Sequence, residues 1–255
     1  MRLTTDTPIH ELLRDGNVTA YYTSRGNYAT TEEARYNGFN VCHYTGDSYE
    51  HTDICLKQLS LSTGVSPEKI IFPHQVHSND VSVITSVPWH KESLESTDAI
   101  VTNVRGIIIG VNTADCVPVA FSDSRAGIIG IAHAGWRGAA NGITENTLTA
   151  MLDLGASPES IKVAMGPSIC MSCFEVGTEV ADRFDNTCVD RTSWDKPHVS
   201  IHRHITKSLI NQGIPESNIA GFDNSLCTRC HPDTFFSARK LGVNSGRVFT
   251  FISMQ

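Results

Sequence analysis

Three short segments each place one soft metal ligand among small or apolar residues: P-H-Q-V-His77-S, N-T-A-D-Cys116-V-P-V and I-A-His133-A-G-W-R-G. Two imidazoles and a thiolate suffice for a tetrahedral zinc site that leaves its fourth position open, the arrangement of a catalytic ion rather than a structural one. The third segment adds Arg137 on a glycine-bounded turn that opens a helix. Free N–H groups and a guanidinium there would suit an anion such as phosphate or a carboxylate; the alternative is an arginine stacked on Trp136 or solvated. Asp115, beside Cys116, reads either as an acceptor that orients a ligand histidine or carries a proton, or as a turn-capping aspartate.

Two C-x-x-C pairs, Cys170/Cys173 and Cys227/Cys230, offer a second set of soft ligands. Together they read as a tetrathiolate zinc site or as separate buried and loop thiols. The 53 residues between the pairs far exceed the usual ribbon spacing. His202 and His204 lie two apart in a helical pattern, where side chains diverge, so they are poor joint ligands and are expected on solvated faces. Phe235 and Phe236 are expected in the core.

The elements that must carry these residues follow from hydrophobic period and turn chemistry. Strands are expected at 18–25, 39–44, 70–76, 81–85, 98–103, 106–114, 117–122, 126–133, 161–165, 218–223 and 246–254. Helices are expected at 49–63, 139–153, 177–185, 200–212 and 233–240. Asp123-Ser124-Arg125 makes a hairpin turn. Adjacent strands with hairpin links and grouped helices give an α+β class, and no G-x-G-x-x-G follows the first strand. No repeat, low-complexity tract or linker divides residues 1–255, so one domain is expected.

Composition bounds the function. With 40% hydrophobic and 18% charged residues, the 255-residue chain is an ordinary globular protein. A net charge of −7 argues against general nucleic-acid or membrane-surface binding, though a small anion can still find a positive pocket. The N-terminus shows no basic region followed by an apolar core, and no apolar run reaches bilayer length. A cytoplasmic protein with eight reduced or ligating cysteines is expected.

Several motifs together carry a resemblance: H-Q-V-H-S (74–78), T-D-A-I-V-T-N (97–103), G-V-N-T-A-D-C-V-P-V (110–119), I-A-H-A-G-W-R-G (131–138), G-P-S-I-C (166–170), F-E-V-G-T-E-V (174–180) and C-T-R-C-H-P-D-T-F-F-S-A-R (227–239). In this order, over almost the whole chain, they resemble the YfiH-like laccase-domain family, also called multicopper polyphenol oxidase-like or purine nucleoside phosphorylase proteins. The resemblance implies layered mixed sheets with flanking helices. It implies zinc on His77, Cys116 and His133, and phosphorolysis of purine nucleosides (adenosine, inosine, guanosine and S-methyl-5′-thioadenosine) with adenosine deamination besides. Cys116, Asp115 and Arg137 are then the catalytic candidates. Arg25, Asn40, His43, Arg137 and Arg239 are the substrate-binding ones, with Asp115 or His43 as the proton donor to the leaving purine.

The N-terminal region departs from the family pattern. Asn40, His43, Gly46 and Asp47 are kept, Ser48 replaces a second acid, and a closing Arg-Arg becomes Arg239-Lys240. Two other chemistries compete with the zinc enzyme. One is copper-dependent polyphenol oxidation, for which the chain has one H-x-H where four-copper oxidases need several. The other is a metal-free hydrolase using a Cys116–His133 dyad. The oligomeric state is open.

Overall fold

Near-continuous apolar runs along the central strands bury both faces, and this brings two sheets together with helices outside them. The computed structural model describes residues 7–26, 33–88 and 94–255. In chain order these form strands β1 (Ile9–Asp15) and β2 (Val18–Thr23), helix α1 (Tyr49–Thr63), then β3 (Ile70–Ile71), β4 (Val81–Ile84), β5 (Ala99–Thr102), β6 (Ile108–Thr113), β7 (Val117–Asp123) and β8 (Ile128–Ala134). Helices α2 (Trp136–Ala140) and α3 (Ile143–Asp153) follow, then β9 (Lys162–Met165), α4 (Thr178–Ala181), β10 (Val189–Asp190), β11 (His198–Val199), α5 (Ile201–Asn211), α6 (Ala238–Leu241) and β12 (Val248–Met254). One sheet has the order β1-β2-β12-β6-β3, the other β4-β5-β8-β7-β9, and β10 pairs with β11 apart from both. The class is α+β, with layered mixed sheets.

Strand side chains alternate between faces. In β6, Ile109 and Val111 meet Ile129 and Ile131 of β8 in the core between the sheets. Ile108, one residue away, packs outward under α1 with Phe249, Phe251 and Leu59. Ile128 and Ala132 of β8 face α3 and α5 on the other side. Each fully buried Ile or Val contributes about 1.5–3 kcal/mol. A one-residue slip of either strand would exchange its inner and outer sets, so the register is strongly specified.

Two connections run from the first sheet to the second. Residues 72–80 link β3 to β4, and residues 114–116 link β6 to β7. Both crossings carry candidate ligands.

Several elements differ from the sequence reading. Residues 39–44 form loop, not strand, because Asn40 turns the chain with its own side chain: Oδ1 accepts from the Cys42 amide (3.1 Å) and Nδ2 donates to the Cys42 carbonyl (3.2 Å). The strand expected at 70–76 stops at Ile71, just ahead of Pro73, which has no amide to donate. The helix expected over 139–153 is two: it starts at Trp136, breaks at Asn141-Gly142 where Gly142 takes φ 87°, and restarts at Ile143. No strand spans 218–223, where Ile219 makes a lone bridge to Val163. The helices expected at 177–185 and 233–240 shrink to α4 and α6. Strand β1 and the short β10–β11 pair carried no clear signal. The N-terminal reading of residues 1–6 lies outside the described residues. Among the described residues no helix is long and apolar enough to cross a membrane.

Candidate metal centre

His133 is fixed by β8 near its C-terminal end. Cys116 precedes β7, whose register sets Val117 opposite Ala134, and this brings the thiol to the same end of the sheet. His77 comes from the 72–80 crossing, not from a strand end. The three ligand atoms lie within 4.8 Å of one another, with Cys116 Sγ 3.8 Å from His77 Nε2. The rings of His77 and His133 meet edge-on at 4.8 Å.

Asp98, at the start of β5, aligns the imidazoles. Its Oδ1 lies 2.7 Å from His133 Nδ1 and accepts from the His77 amide at 3.0 Å. Its Oδ2 accepts from the Val76 and Ser78 amides at 3.2 and 2.7 Å. A proton on Nδ1 facing that carboxylate leaves His133 Nε2 for the centre of the site. Asp98 therefore takes the orienting role that the sequence had offered to Asp115, and its own motif gave no hint of this. Gln75 adds a second brace: its amide donates to the Asn112 carbonyl (2.8 Å) and its oxygen accepts the Asn112 amide (2.8 Å), tying the His77 crossing to β6.

Two site residues adopt left-handed backbone, His77 at φ 64° and Asp115 at φ 88°. Such positions cost non-glycine residues about 1–3 kcal/mol and persist where surrounding contacts over-determine them. Here the contacts are the Asp98 bonds for His77. For Asp115 they are Thr228 Oγ1 to Oδ1 and the Arg239 amide to Oδ2, both at 2.6 Å. Asp115 thus anchors two loops behind Cys116.

Electrostatics favour a thiolate. Burial raises the Cys116 thiol, but the neighbouring His133 and His77 outweigh it and hold it at about 6. Burial lowers His133, yet Cys116 and Asp98 outweigh that and raise it to about 9. Burial likewise raises Asp98, and His133 with Ser78 brings it down to about 2. The donor set, two imidazoles and one thiolate with an orienting carboxylate behind, fits zinc.

The remaining candidates separate into two groups. Arg137 lies exposed in the first turn of α2 with its guanidinium 4.3 Å over Trp136, and among the described residues it makes no ion pair. Gly135, just before it, touches the site: a Cβ there would stand 2.7 Å from His77 Cδ2 and 3.1 Å from Cys116 Sγ. His43 stacks on Tyr49 at 5.2 Å and lines a groove of about 720 Å³ whose rim includes Tyr44 and His74. This groove does not contain the three ligands themselves, but Tyr44 hydrogen-bonds Gln75 in the crossing that carries His77. Arg239 is exposed beside Phe174 and donates to the Glu175 carbonyl at 3.1 Å.

Arg25 and Asn40 are engaged in structural hydrogen bonds. Arg25 donates to the carbonyls of Asn37, Pro232 and Ala34 and stacks over Phe236. Asn40 is fully buried; its side chain also donates to Asp47 and accepts from the Arg247 amide. Both Asn40 amide hydrogens are used in this way, whereas three of the five guanidinium N–H groups of Arg25 are. His202, expected in solvent, is buried against Phe222 and Ser168, and burial holds it neutral, down at about 3. His204 pairs with the Ala139 carbonyl and His198 with that of Met171, so the described histidines outside the triad do not gather into further copper-ligating clusters. A multi-copper centre does not fit these residues. Phe235 and Phe236 are buried as expected.

The family model of the multi-copper polyphenol oxidoreductase laccases matches residues 20–255. Adenosine deaminase RL5, from an unknown prokaryotic organism, is 39% identical over 248 residues, which cover 92% of this chain and 93% of that protein. A purine nucleoside phosphorylase of Bacteroides thetaiotaomicron is 33% identical over 257 residues, covering 91% and 92%. The crystal structure of the Bacillus licheniformis hypothetical protein YfiH superposes with a TM-score of 0.88 at 26% identity, over 99% of this chain and 98% of that one.

Proposed function

We propose that this chain, which belongs to the multi-copper polyphenol oxidoreductase laccase family, is a zinc-dependent purine nucleoside phosphorylase that also deaminates adenosine, carried by one domain over residues 1–255. The observation that carries the reading is the convergence of His77, Cys116 and His133 with Asp98 behind them. The names of the similar proteins, adenosine deaminase and purine nucleoside phosphorylase, support the substrate class. His77, Cys116 and His133 would hold the zinc, which would supply a Lewis acid there.

The chain's own residues then divide the work. Asp98 keeps a proton on His133 Nδ1, which fixes the direction of Nε2. Arg137 presents its guanidinium for the oxygens of inorganic phosphate. His43, stacked on Tyr49 in the groove, borders the purine side of the site. In phosphorolysis a phosphate oxygen bonds to ribose C1′ as the bond from C1′ to the purine nitrogen breaks, and the purine leaves carrying a proton. Asp115 is committed to Thr228 and Arg239. Of the two proton donors considered, His43 is therefore the one assigned here. Arg239, which ties Asp115 to the Phe174 loop, borders the substrate side.

Chromatography of adenosine and inosine incubated with the protein, with and without phosphate, tests the reading. Phosphate-dependent release of adenine and hypoxanthine is expected, as is inosine from adenosine without phosphate. Cys116→Ala is expected to lower both by about a hundredfold or more. Absence of phosphate-dependent base release removes the phosphorylase. The depressed Cys116 thiol beside His133 favours a second reading, a metal-free nucleophilic dyad, and activity that survives complete removal of metal by a chelator would select it.

A further inference from the structure

We propose that Cys170, Cys173, Cys227 and Cys230 form a second metal site, a tetrathiolate centre for one soft divalent cation of the zinc class, separate from the His77–Cys116–His133 site. All four sulfurs lie within 4.8 Å of one another, and Cys173 Sγ and Cys230 Sγ are 3.4 Å apart. A tetrahedron with bonds of about 2.3 Å has sulfur–sulfur edges of about 3.8 Å, so the cluster already has the right size. The long sequence gap that argued against a ribbon is closed by the fold. The Ser168 amide donates to the Leu226 carbonyl and the Thr228 amide to the Ser168 carbonyl, both at 3.1 Å, which seats one C-x-x-C turn beside the other.

Each pair sits in a turn closed by the amide four residues beyond its first cysteine. The Cys173 and Phe174 amides donate to the Cys170 carbonyl at 3.1 and 3.0 Å, and the His231 amide donates to the Cys227 carbonyl at 3.1 Å. Backbone amides also face the first sulfur of each pair. The Cys170 amide donates to Cys227 Sγ at 3.3 Å, and the Cys230 and Cys173 amides face Cys227 and Cys170 in the same way. Amide donors aimed at sulfur stabilise thiolates, which are the ligating form. Four thiolates around a divalent ion leave two negative charges, and the Arg229 guanidinium lies against Cys173 to offset them. Cys170, Cys173 and Cys227 are buried while Cys230 is exposed, so an ion has a route in and is then shielded on its inner side.

The location gives the ion a positioning role. Thr228, inside the second turn, donates to Asp115 Oδ1, and the amide of Ile169, just before the first turn, donates to the Asp115 carbonyl at 2.9 Å. Clamping the two turns therefore also clamps the residue that precedes Cys116.

The test is elemental analysis of the full chain purified under reducing conditions without chelator, together with a thiol count. Two equivalents of zinc per chain are expected in the wild type, and one each in Cys116→Ala and in the double variant Cys227→Ser/Cys230→Ser. Cobalt(II) loaded into Cys116→Ala is expected to give the intense sulfur-to-cobalt charge-transfer and tetrahedral ligand-field bands of four thiolates. That arm decides the matter even if the double variant fails to fold. A Cys116→Ala protein that binds neither zinc nor cobalt overturns the proposal. So does a Cys173–Cys230 disulfide found by peptide mapping of the reduced preparation. A single equivalent that survives Cys116→Ala supports the tetrathiolate site and removes the ion from the triad, so the two readings can fail separately.

Discussion

Asp98 is fully buried, yet both oxygens are used: it accepts from the amides of Val76, His77 and Ser78, from the Ser78 hydroxyl and from His133. One carboxylate thus positions two ligands that arrive on different segments. Asp98→Asn keeps the shape but replaces one acceptor oxygen by a donor that faces other donors. Its zinc affinity is expected to fall about 10–100-fold, measured by competition with a chromophoric chelator. An unchanged affinity would show that Asp98 braces the loop without tuning the site. The three residues of the candidate centre stood out in the sequence because soft side chains lay beside small residues that leave room for an ion. Asp98 did not, because an acid before a strand looks the same whether it ends a turn or orients a histidine. The structural bonds of Arg25 and Asn40 were hidden for a related reason: sequence shows a donor but not the carbonyls that engage it.

Helix α1 was read from the sequence with both ends correct, and its caps explain why. Ser48 accepts from the His51 amide, and Gly64 adopts φ 70° at the C-terminus. Within that first turn, His51 pairs with Asp47 at 2.7 Å with both side chains buried, and the carboxylate raises the imidazole to about 10. A raised folded value means that the pair stabilises fully below the unfolded value of about 6.5 and loses this as pH rises through about 10. Thermal melts of wild type and Asp47→Asn should therefore differ most below pH 6.5 and converge toward pH 10, and a difference that grows with pH would contradict the assignment. The turn from β8 into α2 has the opposite tolerance. A methyl at Gly135 would press on His77 and Cys116 together, so Gly135→Ala is expected to cost about 1–3 kcal/mol. Most of that should appear as weaker zinc binding by isothermal titration rather than as a lower melting temperature. Equal binding by the variant would mean that the ligands have slack. The break at Asn141-Gly142 escaped the sequence reading because helical spacing resumes in phase after it.

Across the whole molecule, the candidate centre depends on how the two sheets sit on each other. His133 belongs to the second sheet, whereas His77 and Cys116 ride on the two chains that cross from the first sheet to the second. Their distances are therefore set by the inter-sheet core around Ile109, Ile131 and Ile252. The cluster under α1 lies on the far face of the first sheet and meets the crossings only at Phe72, where the first one begins. Periodicity located these strands, but it could not tell which sheet each would join, because strands buried on both faces read as unbroken apolar runs. The two cores can be separated by matched truncations. Ile109→Ala and Leu59→Ala each remove a fully buried side chain, and each is expected to cost about 2–5 kcal/mol of stability in denaturant titrations. Ile109→Ala leaves its cavity between the sheets, where relaxation shifts the crossings, so zinc affinity and turnover should drop along with stability. Leu59→Ala empties space beneath α1 and should leave both near wild type under conditions where the protein remains folded. If the two variants lost zinc affinity equally, the centre would answer to global stability alone, and the sheet-to-sheet docking would have no special hold on it.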